Sequence, residues 1–286
     1  MSQLRATLIG FSAILMWSLL AVLTVLTGRV PPFQLLAMTF AVGGVFGLGW
    51  VAQQGALGAL RQPARVWALG VGGLFGYHAL YFTALRLAPP AEAGLLNYFW
   101  PLLIVLFSAL LPGERLPLKS VAGALLGLAG TIILFLGKGL TPAFDFIGGY
   151  GAALCAAFVW AGYSVLSRRF ASVPTAIVAG FCIATAVLAA LVHMLTETTS
   201  WPQDATQWLA VLLLGIGPVG LAFYVWDIGV KRGDIRLLGV ASYAAPILST
   251  AFLVLAGFAA ASASLALAAL LISGGGLIAA SGRKAT

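Results

Sequence analysis

The chain has 286 residues, of which 62% are hydrophobic and 8% are charged, and its formal net charge is +8. Soluble globular domains are about 25% charged, so this composition excludes a water-soluble fold of this size. The apolar runs are about 20 residues long and lack the alternation of barrel strands, so they predict membrane-spanning α-helices. We therefore predict an all-α polytopic membrane protein surrounded by a lipid bilayer.

Ten apolar segments are long enough to cross a bilayer. The connections between them are short and rich in proline, glycine and charge, as loops are, and no soluble domain fits between them. The predicted spans 1 to 10 cover residues 4–27, 33–53, 66–87, 91–111, 118–137, 146–167, 174–196, 207–230, 235–257 and 263–281.

The basic residues favour one side of the membrane. Of the 15 lysines and arginines, only Arg29, Arg86 and Lys138 fall on the side opposite to the N-terminus. Because cytoplasmic loops are enriched in Lys and Arg, this pattern predicts both termini in the cytoplasm and explains the net charge without nucleic-acid binding. The N-terminal side holds Arg5, Arg61, Arg65, Arg115, Lys119, Arg168, Arg169, Lys231, Arg232, Arg236, Arg283 and Lys284.

One stretch of the chain occurs twice. The segment from Ala91 to Leu110, in predicted span 4, recurs about 145 residues later as the segment from Arg236 to Leu255, in predicted span 9. Both contain the spacing Tyr-x-x-Pro with a glycine four residues before the tyrosine. The chain therefore contains two copies of one membrane unit, residues 1–140 and 141–286. The matched pairs are Gly94 with Gly239, Tyr98 with Tyr243 and Pro101 with Pro246.

Each copy holds five predicted spans. An odd number of crossings makes the second copy traverse the membrane in the opposite direction. Homologous units of opposite topology are typical of secondary transporters, which bind their solute between the repeats near the middle of the membrane. We therefore predict ten transmembrane helices in two inverted five-helix repeats that form one integrated membrane domain.

Several segments carry a resemblance to a known family. They are Trp17-Ser18 in span 1, the run from Ala93 to Glu114, and the glycine-rich span from Gly123 to Gly137 with its counterpart near Ser273 to Ser281. On these segments the chain resembles the drug/metabolite transporter superfamily, EamA-type, over essentially its whole length. The resemblance implies a solute exporter of the bacterial inner membrane with a central cavity between the repeats. The family's glutamate after the fourth span of a repeat occurs once, as Glu114, since the second repeat has Gly257-Phe258-Ala259 there.

His78 is the sharpest polar signal, because it lies near the middle of span 3. An ionisable group at that depth is costly unless it faces a cavity or a partner. Tyr81 lies three residues further on and shares its helix face, and Tyr77 is four residues before Tyr81. Two interpretations stay open: His78 lines a substrate cavity with these tyrosines, or a backbone carbonyl inside the bundle satisfies it. A proton-coupling role is less favoured, because one histidine does not make a relay.

Span 4 and span 9 each carry a proline in their interior, where it removes a helix hydrogen bond. Backbone groups freed at mid-membrane depth are tolerated only where protein or a watery cavity satisfies them. The N-terminus of a half-helix there would attract the carboxylate of an amino acid, and a plain structural kink is the alternative. The candidate binding residues are Asn97, Tyr98, Trp100 and Pro101 in span 4 and Tyr243 and Pro246 in span 9.

Aromatic residues away from the span ends suggest a cavity that takes a ligand with apolar bulk. Core packing explains them about equally well. Aromatic residues at span ends are usually interfacial anchors, which fits Trp50, Trp67, Trp201 and Trp208. The remaining candidates for the cavity are Trp17 in span 1 and Trp160 and Tyr163 in span 6.

Charged residues near the span ends are assigned structural roles. Asp227, one turn before Lys231 in span 8, is expected to form a local ion pair or a gate contact. Glu92, at the mouth of span 4, is expected to neighbour Arg86. No Cys/His cluster and no enzymatic constellation occurs, so no catalytic residue, metal or cofactor is predicted. The glycine run from Gly70 to Gly76 lies within a span and favours close helix packing over a phosphate loop.

Several function classes remain to be compared. The first is a secondary transporter that exports small neutral or zwitterionic metabolites by alternating access, with amino acids, the aromatic ones among them, as leading substrates. The second is a carrier of phosphorylated solutes such as nucleotide sugars or sugar phosphates. It requires buried Arg or Lys, whereas nearly every basic residue here lies in a loop or at a span end. The paired broken helices argue against a structural protein or an intramembrane enzyme, and saturable counterflow would distinguish a carrier from a channel. The sequence does not give the oligomeric state, and a monomer is compatible with it.

Overall fold

The computed structural model of the protein describes residues 1–112, 116–136, 143–258 and 260–281. Within these ranges the chain is helical and contains no strand, which confirms the all-α prediction. Outside them lie Glu114 and Ala259, used for the family resemblance, and four basic residues used for the orientation, Arg115, Lys138, Arg283 and Lys284.

Ten helices among the described residues are long and apolar enough to cross a membrane, in agreement with the predicted number. Their bounds differ from the predicted ones by a few residues. They are α1 Gln3–Leu26, α2 Pro32–Gln53, α3 Ala64–Leu87, α4 Pro90–Ser108, α5 Leu118–Leu136, α6 Phe144–Phe170, α7 Ile177–Thr196, α8 Ala205–Arg232, α9 Ile235–Leu255 and α10 Ala263–Ser281.

The predicted interruptions of α4 and α9 are present. The first half of α4 ends at Asn97 and the second begins at Trp100. In α9 the halves end at Ala241 and begin at Ala244. Each proline falls in the first turn of a second half-helix, where its missing N–H would have no helical partner in any case. The repeated Tyr-x-x-Pro spacing therefore produces the same broken helix twice.

The helices α3 and α8 share a feature that sequence reasoning missed. Each contains a five-residue π-helical segment, Gly72–Gly76 in α3 and Gly217–Leu221 in α8. Such wider turns shift the register of a helix and are frequent at functional sites. The predicted close packing through the glycine run of α3 therefore holds for some of its glycines. Side chains of other helices lie against Gly70 and Gly73, whereas a Cβ added at Gly72 would meet open space.

The two halves of the chain interdigitate through pairs of helices. The main contacts join α1 to α8, α2 to α7, α3 to α6 and α5 to α10, so each pair takes one helix from either half. Small residues allow close approach: a Cβ added at Gly10 in α1 would lie 2.8 Å from the Cα of Gly229 in α8. Close packing through small residues is the usual basis of helix association in membranes.

The main core lies between the two halves, and large apolar side chains cover the outside of the bundle. Trp226, Phe40 and Ile14 are fully buried in this core, whereas Leu118 and Leu195 are among the exposed side chains. The odd-numbered helices begin on one side of the bundle, which we call the basic face because Arg5, Arg65, Arg168 and Lys231 lie near it. The other side is called the opposite face.

Candidate binding cavity

A cavity of about 610 Å³ lies between the two halves of the chain. Its lining comes from the later parts of α1 and α3 and from the earlier parts of α2, α4 and α8, which are the parts near the opposite face. The cavity therefore extends from that face to about the middle of the bundle. The lining includes eight of the twelve predicted site residues: Trp17, Tyr77, His78, Tyr81, Asn97, Tyr98, Trp100 and Trp160.

Tryptophan rings form the floor of the cavity. The rings of Trp17 and Trp160 meet edge to face with their centroids 5.5 Å apart, and Trp100 meets Trp160 in the same way at 6.3 Å. Trp226 lies against Trp17 with a centroid distance of 5.0 Å and is fully buried beneath the floor. Edge-to-face contacts of this kind are favoured by the quadrupoles of the rings. They make the floor a rigid aromatic surface.

Two ring nitrogens bind carbonyls of the π-helical segments. Nδ1 of His78 lies 2.7 Å from the carbonyl oxygen of Leu74 in α3, and Nε1 of Trp17 donates to the carbonyl of Pro218 in α8 at 3.0 Å. Because a carbonyl can only accept, Nδ1 of His78 carries the proton of this bond, and in the neutral ring Nε2 is left as an acceptor. His78 thus bonds to a backbone carbonyl and also lines the cavity, and its role in binding a substrate stays a prediction.

The wall beside His78 carries hydroxyl and amide groups. The rings of Tyr77 and Tyr81 stack with their centroids 6.0 Å apart. Nδ2 of Asn97 donates to the hydroxyl of Tyr77 at 3.0 Å, while Oδ1 of Asn97 has no hydrogen-bond partner among the described residues. A buried amide oxygen without a partner is uncommon. Its presence in a cavity lining marks Asn97 as a residue that can bind a donor from a ligand.

The mouth of the cavity contains a charged network around Glu197, the residue that follows α7. Its carboxylate accepts from the backbone N–H groups of Phe33 and Gln34 at 3.1 Å and pairs with Arg86 and His193. The side chain of Glu197 is 4% exposed and that of Arg86, which lines the cavity, is 42% exposed. Glu197 thereby caps the N-terminus of α2 and neutralises the cation at the mouth.

This network corrects the expected pairing of Glu92 with Arg86. The carboxylate of Glu92 instead accepts a hydrogen bond from Tyr150 of α6. Sequence proximity to α3 suggested the wrong acid, because the true partner of Arg86 lies 111 residues away. The only local signal was the four-residue spacing of His193 and Glu197, whose side chains meet at the C-terminal end of α7.

Four predicted site residues do not line the cavity. Tyr163 points towards the basic face, where its ring occupies the space beside Gly73, and Tyr243 is fully buried against Gly127 in a separate cluster. Pro101 is buried in α4 and its carbonyl approaches Gly239 of α9, while Pro246 is buried in α9, where Ala245 and Ser249 reach the cavity instead. Helical spacing shows which residues share a face, but it does not show which face is turned to the cavity.

Phe223 of α8 is the main lining residue that sequence reasoning missed. Its ring stacks on Phe40 with a centroid distance of 5.4 Å and meets the rings of Trp17, Trp160 and His78. It lies six residues after Gly217, as His78 lies six residues after Gly72. Aligning the two repeats on these glycines would have placed Phe223 opposite His78.

The bundle is tightly packed on the side of the basic face, and the cavity does not extend there. Phe181 of α7 fills the space beside Gly70 and meets Trp67 edge to face at 5.6 Å. The guanidinium of Arg65 lies over the ring of Phe170, 5.8 Å from its centroid. Asp227 and Lys231 form the expected local ion pair at 2.9 Å. Aromatic rings set into glycine positions thus seal this half of the molecule.

Comparison with known proteins gives consistent matches over nearly the whole chain. A sequence profile of the EamA-like transporter family matches residues 4–136 and again residues 147–280. The aromatic amino acid exporter YddG of Ancylobacter novellus is 61% identical over 284 residues, 98% of both chains. Proteins of the same name from Salmonella typhimurium and Escherichia coli are 29% and 26% identical, over 88% and 97% of each chain. A solved crystal structure with 61% sequence identity has a TM-score of 0.94 and covers 97% of each chain.

Proposed function

Because this chain belongs to the EamA-like transporter family, we propose that it is a secondary transporter that exports amino acids, with aromatic amino acids as its main substrates. The observation that carries the proposal is the aromatic cavity of about 610 Å³ with a small polar group at one wall. Sites for small molecules have this size and this pattern of apolar lining with few polar groups. The name of the relative at 61% identity supports the same substrate class.

The arrangement of the polar groups suggests how an amino acid is held. The apolar side chain lies on the floor formed by Trp17, Trp100 and Trp160, where ring stacking favours an aromatic substrate. The substrate ammonium donates to Oδ1 of Asn97 and to Nε2 of His78. Its carboxylate lies at the N-terminus of the second half of α4, where the helix dipole favours negative charge.

The face to which the cavity opens indicates which state of the transport cycle the structure represents. Placing the basic face in the cytoplasm, as the distribution of Lys and Arg favours, turns the open cavity to the outside of a bacterial inner membrane. The structure then corresponds to an outward-open state, from which a substrate is released. Alternating access requires a second state in which the basic-face half opens and the outer half closes.

A carrier of phosphorylated solutes is not favoured by this cavity. Phosphate recognition uses Arg or Lys in a site sheltered from water. Among the described lining residues Arg86 is the one permanent cation, and Glu197 already neutralises it at the mouth.

The test is counterflow in proteoliposomes that contain the purified protein, with labelled tryptophan, leucine and a sugar phosphate as probes. We expect saturable exchange of tryptophan and slower exchange of leucine. Replacing Asn97 by leucine removes Oδ1 together with the bond to Tyr77, and should raise the KM for tryptophan at least tenfold, since a hydrogen bond to a charged group contributes about 1.5–3 kcal/mol.

Tyr77→Phe is the matched control for the Asn97 variant. It breaks the same hydrogen bond but leaves Oδ1 of Asn97 in the cavity. An equal loss in both variants would show that only the bond matters and would contradict the role given to Asn97. Exchange of the sugar phosphate without exchange of tryptophan would overturn the proposed function itself.

A further inference from the structure

A small closed pocket lies beneath the tryptophan floor, towards the basic face. Its volume is about 10 Å³, and its lining includes Tyr163, Ser167, Phe181, Asp227 and Lys231. A cavity of this size holds about one water molecule at most. The pocket is therefore closed to a substrate in this structure, although charged and polar side chains line it.

A buried ion pair between Asp227 and Lys231 lies at the pocket, where packing alone would not require charged residues. Asp227 accepts from Thr175 at 2.6 Å and from Lys231 at 2.9 Å, and Lys231 also donates to the carbonyl of Val173 at 3.0 Å. The side chains of Asp227 and Lys231 are 3% and 5% exposed. Apolar residues usually stabilise such a position at least as well as a buried ion pair, because both charges lose their hydration. A purely structural role leaves this choice of residues unexplained.

Tyr163 adds a second and independent observation. Its side chain is buried, and its hydroxyl has no hydrogen-bond partner in the part of the chain that the structure describes. A buried hydroxyl without a partner destabilises the state in which it is found. It gains a partner if a polar ligand enters the pocket.

The inverted repeat relates this closed pocket to the open cavity. Lys231 lies fourteen residues after Gly217 of the α8 π-helical segment, as Arg86 lies fourteen residues after Gly72 in α3. Tyr163 lies three residues after Trp160, as Leu20 lies three residues after Trp17. Arg86 and Leu20 line the open cavity, whereas Lys231 and Tyr163 line the closed pocket. The two spaces thus occupy equivalent places on either side of the floor.

We propose that the closed pocket is the basic-face half of the transport path, and that Asp227 and Lys231 form a loading site there for a zwitterion. This inference rests on the proposed function. When this half opens, Asp227 binds the substrate ammonium and Lys231 binds its carboxylate, so two charge-assisted hydrogen bonds replace the ion pair. The Tyr163 hydroxyl then donates to the carboxylate.

The two ends of the path differ in the charged side chains that can bind a zwitterion. At the basic face both an acid and a base become available from one helix. At the opposite face Arg86 is the one charged residue among the described residues that line the cavity. The Glu197 carboxylate is committed to the N-terminus of α2 and to His193. The loading site therefore raises affinity for the substrate on the basic-face side, so that the transporter loads at a lower substrate concentration there than on the other side.

The experiment measures KM for labelled tryptophan from each face separately, in vesicles of right-side-out and inside-out orientation. The variant Asp227→Asn with Lys231→Gln removes both charges together, so no unpaired charge is left buried. We expect KM from the basic face to rise about tenfold and KM from the opposite face to stay unchanged. An equal change from both faces, or none from the basic face, would overturn the loading site.

Tyr163→Phe provides a variant with a small folding cost, because the hydroxyl it removes has no hydrogen bond of standard geometry to the described residues. We expect KM from the basic face to rise about threefold. Tyr243→Phe is the matched control, since Tyr243 is equally buried but lies in the cluster of α4, α5, α9 and α10, away from both spaces. An equal effect of the two substitutions would contradict the assignment.

Labelling separates this inference from the proposed function. Ser167→Cys, in a chain whose Cys155 and Cys182 are replaced by serine, should react with an impermeant thiol reagent from the basic face, and tryptophan should slow the reaction. No labelling in a protein that still exchanges tryptophan would overturn the inference alone. Labelling in a protein that exchanges no amino acid would overturn the proposed function and support the opening of the pocket.

Discussion

The open and the closed half of the path are built from equivalent helices, and they differ in the residues that face each other across the gap. In the closed half Tyr163 of α6 packs against Gly73 of α3. The equivalent positions in the open half are Leu20 of α1 and Pro218 of α8, and both line the cavity. A tyrosine ring fills the space left by a glycine, whereas leucine and proline leave a gap. The shape of the molecule in this state thus follows from a few side chains in two similar frameworks.

The largest effect is expected from filling the space beside Gly73. A Cβ there would lie 2.4 Å from the ring of Tyr163, so Gly73→Val requires the ring to move. We expect this movement to open the closed half. Transport needs both states, and we expect the exchange rate to fall more than tenfold while labelling from the basic face increases.

Gly72→Val is the control for that experiment. It changes the next residue of the same π-helical segment, where an added Cβ meets nothing within 4 Å. We expect it to keep near-normal exchange. If both valine variants behave alike, the contact between Tyr163 and Gly73 does not determine which half is closed.

The second largest effect on transport is expected at the tryptophan floor, which lies between the open and the closed half. Trp160→Ala removes a ring that contacts Trp17, Trp100 and Trp226, and the cavity left in the core costs about 3–5 kcal/mol of stability. We expect a lower melting temperature and a loss of the preference for tryptophan over leucine in counterflow. The half-exposed Trp208 provides the control, because Trp208→Ala should leave that preference intact.

The sequence predicted the framework better than the conformation. The lengths of the apolar runs gave the number of helices, and the repeated Tyr-x-x-Pro gave the broken α4 and α9. The two tyrosines of that repeat nevertheless differ: Tyr98 lines the cavity and Tyr243 is buried against Gly127. A repeat pattern makes equivalent residues look alike, but in any one state the two halves are not alike. Which copy faces the open side depends on packing between distant helices, and no local pattern carries that information.

His78 and Trp160 do lie in the cavity lining, as their positions near the middle of spans 3 and 6 indicated. The network around Glu197 shows the opposite case. Its members come from α2, α3 and α7, and the contact between Arg86 and Glu197 joins residues far apart in the chain. Charge alone indicated that Arg86 needs an acid, but it did not indicate which one.

The smallest effect is expected at this network. It tests whether Arg86 at the opposite face binds the substrate less well than Lys231 at the basic face because Glu197 neutralises it. Glu197→Gln keeps the shape of the side chain but removes the charge that neutralises Arg86, and charged hydrogen bonds of this kind contribute about 1.5–3 kcal/mol. We expect a melting temperature a few degrees lower and a modestly higher affinity for tryptophan from the opposite face, because Arg86 becomes available to a carboxylate. Asp204→Asn removes an acid from the same connection between α7 and α8 but keeps an N-cap side chain for α8, and should change neither. If Glu197→Gln leaves affinity from the opposite face unchanged, the pairing of Arg86 does not account for the weaker binding expected there, and the difference between the two faces rests on Asp227 and Lys231 alone.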